Sequence, residues 1–271
     1  MVNVAFQGER GAFSEDAATK LFGADIDYLP CYRLKEVFEI VSQGKIEFGI
    51  VPVENSQAGS INETYDLLLA YPLNIFAEVI LRVSHCLMAL PGEKLADITT
   101  IYSHPQAIAQ CAEFLGNLNV EIMSSYDTAG SAKMIKEKGL KDCAAIASKR
   151  AAYIYGLEIL APEIETSVNN YTKFAAISQQ KAKPAQKNKT SLVFATEHKP
   201  GSLYRILGIF ATRNINLTKL ESRPSRREPW EYVFYADFEG HLDSKFYQEA
   251  VKELQREAAF IKILGSYPQA T

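Results

Sequence analysis

Along the first half of the chain, short apolar runs alternate with segments in which apolar residues recur every three or four positions. The runs, which include residues 2–6 and 48–53, predict strands, and the periodic segments between them predict helices, one of which Ser14 can cap. An extended stretch at residues 74–90 separates these elements from a second set of the same kind, which a strand at 172–177 closes. Strands separated by helices predict βαβ units and a mainly parallel sheet, so the fold class is α/β.

The pattern changes where this alternation of strand and helix stops. Residues 179–190 contain four lysines and almost no large apolar side chain, which is typical of a linker. Beyond them the predicted order is strand, helix, strand, strand, helix, strand, with the third strand starting at Glu231, and this βαββαβ order is the ferredoxin-like arrangement. We therefore predict one α/β unit at residues 1–180, a linker at 181–189 and a second, smaller domain at 190–271.

Three polar segments directly follow predicted strands and precede predicted helices, at residues 54–56, 103–106 and 127–130. Loops at the carboxyl ends of parallel strands line the ligand crevice of an open sheet, and the free N–H groups of a helix N-terminus favour an anion. Together the segments predict an anion-receptive cleft that suits carboxylates. Each segment taken alone is also typical of helix caps and turns, and a lone histidine such as His104 is more often structural than catalytic.

The segment Asn-Asn-Tyr-Thr-Lys-Phe at residues 169–174 places a hydroxyl and a cation at the start of an apolar strand. One interpretation is a β-turn that leads into the strand. The other is a hydroxyl donor, Thr172, beside a cation that binds a carboxylate, Lys173. The residues of this segment do not decide between the two.

The composition narrows the classes of function. A chain of 271 residues with 47% hydrophobic and 23% charged residues can bury a sizeable core, and its net charge of −3 gives no basic field for nucleic acid or an anionic membrane. The longest apolar stretch, residues 79–90, is interrupted by Arg82 and His85 and is too short to span a bilayer. The N-terminus has no signal-peptide pattern, so we expect a cytoplasmic protein without a membrane segment.

The four cysteines lie far apart and have no C-x-x-C spacing, so they lack the paired arrangement that zinc ligands need. In a chain without a secretion signal, such cysteines predict reduced and mostly buried thiols. We therefore expect no structural metal in this protein.

Several longer motifs contain these segments and follow one another in a fixed order. They are Val-Ala-Phe-Gln-Gly at 4–8 with Gly-Ala-Phe-Ser at 11–14, Pro-Val-Glu-Asn-Ser at 52–56, Ser-His-Pro-Gln-Ala at 103–107, Asp-Thr-Ala-Gly-Ser-Ala at 127–132, and Asn-Tyr-Thr-Lys-Phe at 170–174. Jointly they resemble the motifs of prephenate dehydratases that carry a C-terminal ACT regulatory domain, and the resemblance covers essentially the whole chain. One departure is Lys173, where the family usually has arginine, because lysine keeps the charge but loses the planar fork that grips a carboxylate.

The resemblance implies a two-lobed catalytic unit like the type II periplasmic binding proteins, with the substrate in the cleft between the lobes. The implied reaction removes water and carbon dioxide from prephenate to give phenylpyruvate, in L-phenylalanine biosynthesis, and needs no cofactor. Hydroxide is a poor leaving group, so a proton donor is required, and the resemblance assigns this role to Thr172. The residues expected to bind the substrate are Asn55, Ser56, Ser103, His104, Gln106, Asn170, Lys173 and Phe174.

In the second domain, residues 200–203 resemble the glycine-containing loop of ACT domains, and residues 221–224 resemble the Glu-Ser-Arg-Pro segment of those that respond to phenylalanine. A glycine lets the backbone approach an amino acid closely, although a tight turn and a solvated Arg223 explain the same residues. The resemblance implies a homodimer or homotetramer in which L-phenylalanine binds between ACT domains and lowers activity. The residues expected to bind L-phenylalanine are Pro200, Gly201, Ser202, Leu203, Glu221, Ser222, Arg223 and Pro224.

Three other functions are weighed against this one. An arogenate dehydratase performs the same chemistry on a substrate whose keto acid side chain is an amino acid, and the motifs do not separate the two substrates. A non-catalytic small-molecule sensor can use the same two kinds of domain, but Thr172 between Asn170 and Phe174 favours catalysis. A fusion with chorismate mutase is disfavoured, because the chain begins at once with the dehydratase-like strand.

Overall fold

The computed structural model describes residues 2–224 and 232–270. The predicted strand start at Glu231 lies outside the described residues. Within them, the chain forms three sheets, two of which belong to the predicted α/β unit and one to the smaller domain.

Residues 2–82 build most of a first lobe. Its elements are β1 (Val2–Gln7), α1 (Phe13–Phe22), β2 (Ile26–Cys31), α2 (Leu34–Ser42), β3 (Phe48–Asn55), β4 (Gly59–Ser60), α3 (Asn62–Ala70) and β5 (Asn74–Arg82). Strands β1, β2 and β3 run parallel because helices connect them as βαβ crossovers. Strand β4 instead turns back on β3 as a short antiparallel hairpin.

The chain then crosses into a second lobe. Its elements are β6 (Cys86–Ala89), β7 (Thr100–Ser103), α4 (Pro105–Gln110), α5 (Ala112–Leu115), β8 (Glu121–Ser124), α6 (Thr128–Lys138), β9 (Cys143–Ala147), α7 (Lys149–Tyr155) and β10 (Glu158–Ala161). The sheet has the strand order β10-β6-β9-β7-β8, in which β9, β7 and β8 run parallel while β6 and β10 are antiparallel to their neighbours.

Strand β11 (Tyr171–Ser178) returns to the first lobe, where it lies antiparallel between β3 and β5 and gives the order β2-β1-β3-β11-β5. The predicted α/β class and the two-lobed unit are therefore confirmed. The predicted mainly parallel sheet is corrected to two mixed sheets, because β11 in the first and β6 in the second run antiparallel to both of their neighbours. The extended stretch at residues 74–90 is two strands, β5 and β6, that belong to different lobes.

The smaller domain has the predicted ferredoxin-like order. Its elements are β12 (Asn188–Ala195), α8 (Ser202–Ala211), β13 (Leu217–Pro224), β14 (Tyr232–Glu239), α9 (Lys245–Glu257) and β15 (Phe260–Pro268). The four strands pair antiparallel in the order β13-β14-β12-β15. Lys189, which the lysine-rich pattern assigns to the linker, is buried in β12, where its ammonium bonds to the Glu78 carboxylate of β5.

Strand β12 of the smaller domain is buried on both faces of the sheet, toward which its successive side chains point in turn. In β12, Leu192 and Phe194 pack into the core beneath α8 and α9, whereas Val193 packs into a core shared with the first lobe. The contact between the two sheets is close: a side-chain carbon added at Gly265 would meet the backbone oxygen of Ile75 at 2.3 Å. This packing places the smaller domain directly behind strands β3, β11 and β5.

Candidate active site

A cavity of about 220 Å³ lies in the cleft between the two lobes. Both lobes contribute polar and aromatic side chains to its lining, among them Gln7, Phe13, Ser14, Asn55, Thr172 and Phe174 from the first lobe and His85, His104, Gln106, Gln110, Asp127 and Thr128 from the second. Five of the residues predicted from the sequence thus meet in one place: Asn55, His104, Gln106, Thr172 and Phe174.

Asn55 and Thr172 form a buried hydrogen-bonded pair on the adjacent strands β3 and β11. The Asn55 amide oxygen accepts the backbone N–H groups of Gln57 and Ala58, both at 3.0 Å, and this fixes the orientation of the amide. Its nitrogen must therefore be the atom that donates to the Thr172 hydroxyl oxygen at 2.9 Å. Because that oxygen accepts this bond, the Thr172 hydroxyl keeps its own hydrogen for an acceptor in the cavity.

Asn170 and Ser56 support this pair from outside the cavity lining. The fully buried Asn170 accepts a hydrogen bond from the Asn55 amide nitrogen at 2.9 Å, and its own amide nitrogen has no partner among the described residues. The Ser56 hydroxyl donates to the Asn169 carbonyl at 3.0 Å and accepts the Tyr171 N–H at 2.9 Å. Both residues, expected to bind substrate, instead fasten the end of β3 to the start of β11.

In the second lobe, His104 and Gln106 line the cavity at the start of α4. The His104 Nδ1 atom accepts the Gln106 backbone N–H at 3.2 Å, which caps the helix and leaves the other ring nitrogen available. Ser103, expected beside them, does not line the cavity. It is fully buried and donates to the Ile146 carbonyl at 2.7 Å, because the last residue of β7 faces the neighbouring strand β9.

Lys173 lies on the opposite face of the sheet from the cavity. Side chains alternate along a strand, so Thr172 and Phe174 face the cleft and Lys173 faces the smaller domain. Its ammonium is 3.2 Å from the Glu54 carboxylate. The expectation that Lys173 grips a substrate carboxylate is therefore corrected by the geometry of β11.

Four polar lining residues, Ser14, His85, Gln110 and Asp127, are absent from the list of residues expected to bind the substrate. Ser14 lines the cavity instead of capping α1, because the helix begins at Phe13 with Ala12 as its cap, two residues earlier than predicted. His85 is buried, which lowers its pKa and keeps the ring neutral, and its Nε2 is 2.9 Å from Gln110. Asp127 caps α6 by accepting the backbone N–H of Gly130 at 3.1 Å.

Only Asp127 among these four has a clear signal in the sequence, since it opens one of the three polar segments. It also accepts the backbone N–H of Glu9 from the first lobe at 2.9 Å, so it joins the lobes across the cleft. Burial raises the pKa of its carboxyl group. His85 interrupts an apolar stretch, which is a weaker signal, and the contacts of Ser14 and Gln110 depend on tertiary structure.

Further contacts between α1 and α7 hold the lobes together. The Arg150 guanidinium of α7 lies 2.8 Å from the carboxylate of the fully buried Glu15 and 3.7 Å from that of Asp16, both in α1. Burial raises the pKa of Asp16 to about 6, against the opposing effect of Arg150. Gly11 adopts a φ of +88° and packs so closely on α7 that a side-chain carbon there would meet Ala151 at 2.7 Å.

The described part of the cavity lining contains no lysine or arginine. The N-terminal turns of α1 and α6 face the cleft through Phe13, Ser14 and Thr128, and the Asp127 carboxylate already caps α6. These N–H groups and the neutral donors around them suit carboxylates. No group of three or more histidine, cysteine, aspartate or glutamate residues that could hold a metal ion occurs in residues 2–224 and 232–270.

The two segments expected to bind an amino acid lie at the same end of the ferredoxin-like sheet, since Val233 of β14 pairs with Ala195 on one side and Arg223 on the other. Residues 200–203 form the turn and first residues of α8, with Gly201 in the left-handed conformation at a φ of +82°. Glu221 instead contacts the α/β unit, where Ser60 donates to it.

A cleft between two α/β lobes is typical of a protein that binds a small molecule. A ferredoxin-like domain packed behind that cleft is typical of an appended regulatory domain. The family model for prephenate dehydratase matches residues 4–182, and the model for the ACT domain matches residues 190–256. The chain therefore belongs to the prephenate dehydratase family and ends in an ACT domain. No helix in the described part of the chain is long and apolar enough to cross a membrane.

Similar proteins support this assignment. Arogenate dehydratase/prephenate dehydratase 1, chloroplastic, of Arabidopsis thaliana is 43% identical over 283 residues, which cover 98% of this chain and 72% of that protein. A prephenate dehydratase from Arthrobacter aurescens, solved in complex with L-Phe, superposes with a TM-score of 0.90 at 32% identity, covering 98% of this chain and 90% of that one. A structure described as a novel type of quorum quenching acylase, GqqA, has a TM-score of 0.88 at 35% identity, with 98% of both chains covered.

Proposed function

We propose that this chain converts prephenate into phenylpyruvate, water and carbon dioxide. The Asn55–Thr172 pair carries the proposal, because Asn55 donates to the Thr172 oxygen and leaves the Thr172 hydrogen free to donate into the cleft. In the reaction, the bond between the ring and its carboxylate breaks, its electron pair aromatises the ring, and the ring C–O bond breaks as the departing oxygen takes up one proton, drawn from solvent, and leaves as water. A hydrogen bond from Thr172 to that oxygen stabilises the developing charge by about 3 kcal/mol.

The two carboxylates of prephenate are bound by dipoles in this proposal. The first turn of α1, which has no side-chain cap, supplies backbone N–H groups, and His104 and Gln106 supply side-chain donors opposite Thr172. Phe13 and Phe174 supply an apolar wall for the ring. Lys173 lies on the far face of the sheet, where its ammonium pairs with the Glu54 carboxylate. It therefore has no direct role in binding the substrate.

Arogenate is the second candidate substrate, and the name of the Arabidopsis relative, which includes both activities, favours testing it. Arogenate carries an ammonium group where prephenate has its keto group. This difference lies far from the departing oxygen. The proposed role of Thr172 is therefore the same for both substrates.

L-Phenylalanine is the proposed regulator, bound at the end of the ACT sheet formed by residues 200–203 and 221–224. The prephenate dehydratase from Arthrobacter aurescens was solved in complex with L-Phe, and this similarity supports the choice of ligand. Strand β13 is an edge strand, and pairing with a second copy would cover it, so we expect a homodimer or homotetramer. A cytoplasmic location stays a prediction from the sequence.

The test is to incubate the purified protein with prephenate and, separately, with arogenate, and to follow product absorbance with and without L-phenylalanine. Thr172→Val removes the hydroxyl at nearly constant volume, whereas Thr172→Ser keeps it. We expect the valine variant to lose about 10²- to 10³-fold in kcat and the serine variant to lose much less. Binding without turnover by the unmodified protein would indicate a sensor, and a valine variant of normal kcat would exclude Thr172 as the donor.

A further inference from the structure

Behind the catalytic pair, on the other face of β3 and β11, a cluster of charged groups joins the catalytic unit to the ACT domain. The Lys173 ammonium lies 3.2 Å from the Glu54 carboxylate, and the Lys219 ammonium of β13 lies 3.7 Å from the same oxygen. Glu54 directly precedes Asn55, and Lys173 directly follows Thr172. The cluster is therefore one residue away from the catalytic pair along each strand.

Lys219 is the member of this cluster that comes from the ACT domain, and its side chain is only 12% exposed. Its ammonium donates to the Ser60 hydroxyl at 2.8 Å, lies 3.1 Å from the Glu221 carboxylate and sits 5.0 Å from the centre of the Tyr65 ring. Burial alone would lower the pKa of Lys219, but the neighbouring phenol and carboxylates outweigh burial and raise it. The charged Lys219 side chain therefore links the ACT domain to the catalytic unit.

Lys219 contacts both strands of the β3–β4 hairpin, which carries Asn55. In the β3–β4 pairing, Glu54 lies opposite Ser60 and Asn55 lies opposite Gly59. Lys219 contacts the Glu54 and Ser60 side chains, so it ties the two strands at the base of the turn. The Asn55 amide oxygen closes the same turn by accepting two of its backbone N–H groups. A hairpin that loosens at its base would therefore change the direction in which the Asn55 amide nitrogen points.

We propose that Lys219 is a positioning residue for the dehydration, which from the ACT domain holds the β3–β4 hairpin so that Asn55 orients Thr172. This inference rests on the function proposed above. The same contacts connect the expected phenylalanine site to the hairpin. Glu221 is expected to take part in phenylalanine binding, and here it accepts a hydrogen bond from Ser60. A ligand that draws Glu221 away from Ser60 changes the hairpin from the ACT side.

The first test compares Lys219→Met with a matched lysine of the same domain. Lys262 also reaches from the ACT sheet to the catalytic unit, but it donates to backbone carbonyls at the end of α3, including that of Leu68 at 2.8 Å. We expect Lys219→Met to lower kcat about 10- to 100-fold with a smaller change in KM, because a displaced donor misaligns the reaction. Lys262→Met should keep kcat within about twofold, and Lys219→Arg, which keeps the charge, should recover part of the loss.

A double substitution separates positioning from a general loss of structure. If Lys219 acts through Asn55, then adding Lys219→Met to Asn55→Ala causes no further fall in kcat, because the group that it positions is already gone. A structural role predicts that the two losses multiply. Multiplied losses, or an unchanged kcat in the Lys219→Met single variant, would overturn the proposal.

Hydrogen exchange gives a readout that needs no substrate. The amide hydrogens of Gln57 and Ala58, which bond to Asn55, should exchange at least about 10-fold faster in Lys219→Met than in Lys262→Met. If the unmodified protein turns over neither prephenate nor arogenate, the proposed function fails, and this comparison still decides whether Lys219 holds the hairpin. Equal exchange in the two variants contradicts the positioning role even when the dehydratase activity is present.

Discussion

The substitution Asn55→Asp reverses the hydrogen bond between Asn55 and Thr172 without changing the shape of the site. The amide oxygen that accepts the backbone N–H groups of Gln57 and Ala58 is kept as a carboxylate oxygen. The amide nitrogen, 2.9 Å from the Thr172 hydroxyl, becomes an acceptor. The Thr172 hydrogen then points to the carboxylate and is no longer available to the departing oxygen of the substrate.

The expected loss is that of one preorganised donor, about 3 to 4 kcal/mol, which corresponds to a fall in kcat of about 10²- to 10³-fold. The fold should survive, because the neighbouring Asn170 can rotate its amide and turn its nitrogen, which has no partner among the described residues, toward the carboxylate. Four donors then surround the carboxylate and favour its ionised form, although the Tyr171 carbonyl loses the bond that it accepts from the Asn55 amide nitrogen at 3.2 Å. Because the added charge also repels an anionic substrate, KM rises as well, and kcat is the quantity that reports on Thr172.

The assay is steady-state kinetics by product absorbance with prephenate, repeated with arogenate. Asn169→Asp is the matched control, since it makes the same chemical change at an exposed neighbouring residue and should keep kcat within about twofold. Thermal unfolding of both variants checks that the fold is retained. A kcat for Asn55→Asp within about threefold of the unmodified enzyme would refute the inferred direction of the hydrogen bond and the role of Thr172 with it.

Two further predictions concern the contacts between the lobes. Because burial raises the pKa of Asp16 to about 6, its contribution to stability is present below its ordinary pKa near 4 and is lost as the pH rises through 6. Asp16→Asn should therefore change the urea midpoint little at pH 4 and stabilise the protein by about 1 to 3 kcal/mol at pH 8; an equal effect at both pH values would contradict this. Gly11→Ala should cost about 2 to 4 kcal/mol in urea unfolding, because strain at positive φ adds to the clash with Ala151, whereas Gly92→Ala, with a similar φ but open space, should cost about 1 to 2; equal costs would mean that the lobes do not pack as described.

Features that depend on neighbouring residues along the chain could be predicted from the sequence. The βαββαβ order of the ACT domain follows from local periodicity, and each polar segment at a strand end follows from the change from apolar to polar residues. The position of Lys173 could also have been predicted, because alternation along a strand puts it opposite Thr172 and Phe174. When residues 170–174 are treated as a single functional motif, that alternation is easily overlooked.

Features that depend on distant partners could not be predicted. The stretch at residues 74–90 divides between two lobes only because β5 and β6 pair with strands far away in the sequence. Lys189 has the local composition of a linker, and only Glu78, 111 residues away, reveals that it is buried. The contact between His85 and Gln110 likewise requires the second lobe to be folded.

The two faces of the β3–β11 strand pair place the proposed chemistry and the proposed regulation close together. One face presents Asn55 and Thr172 to the cleft, and the other presents Glu54 and Lys173 to the ACT domain. Consecutive residues of a strand are only about 3.3 Å apart, so the ACT domain reaches the catalytic pair through a single peptide unit rather than a long path. Closely packed sheets shift between discrete arrangements rather than deform gradually. We therefore expect that a ligand which repacks the ACT domain against this face changes the geometry of the proposed donor on the other.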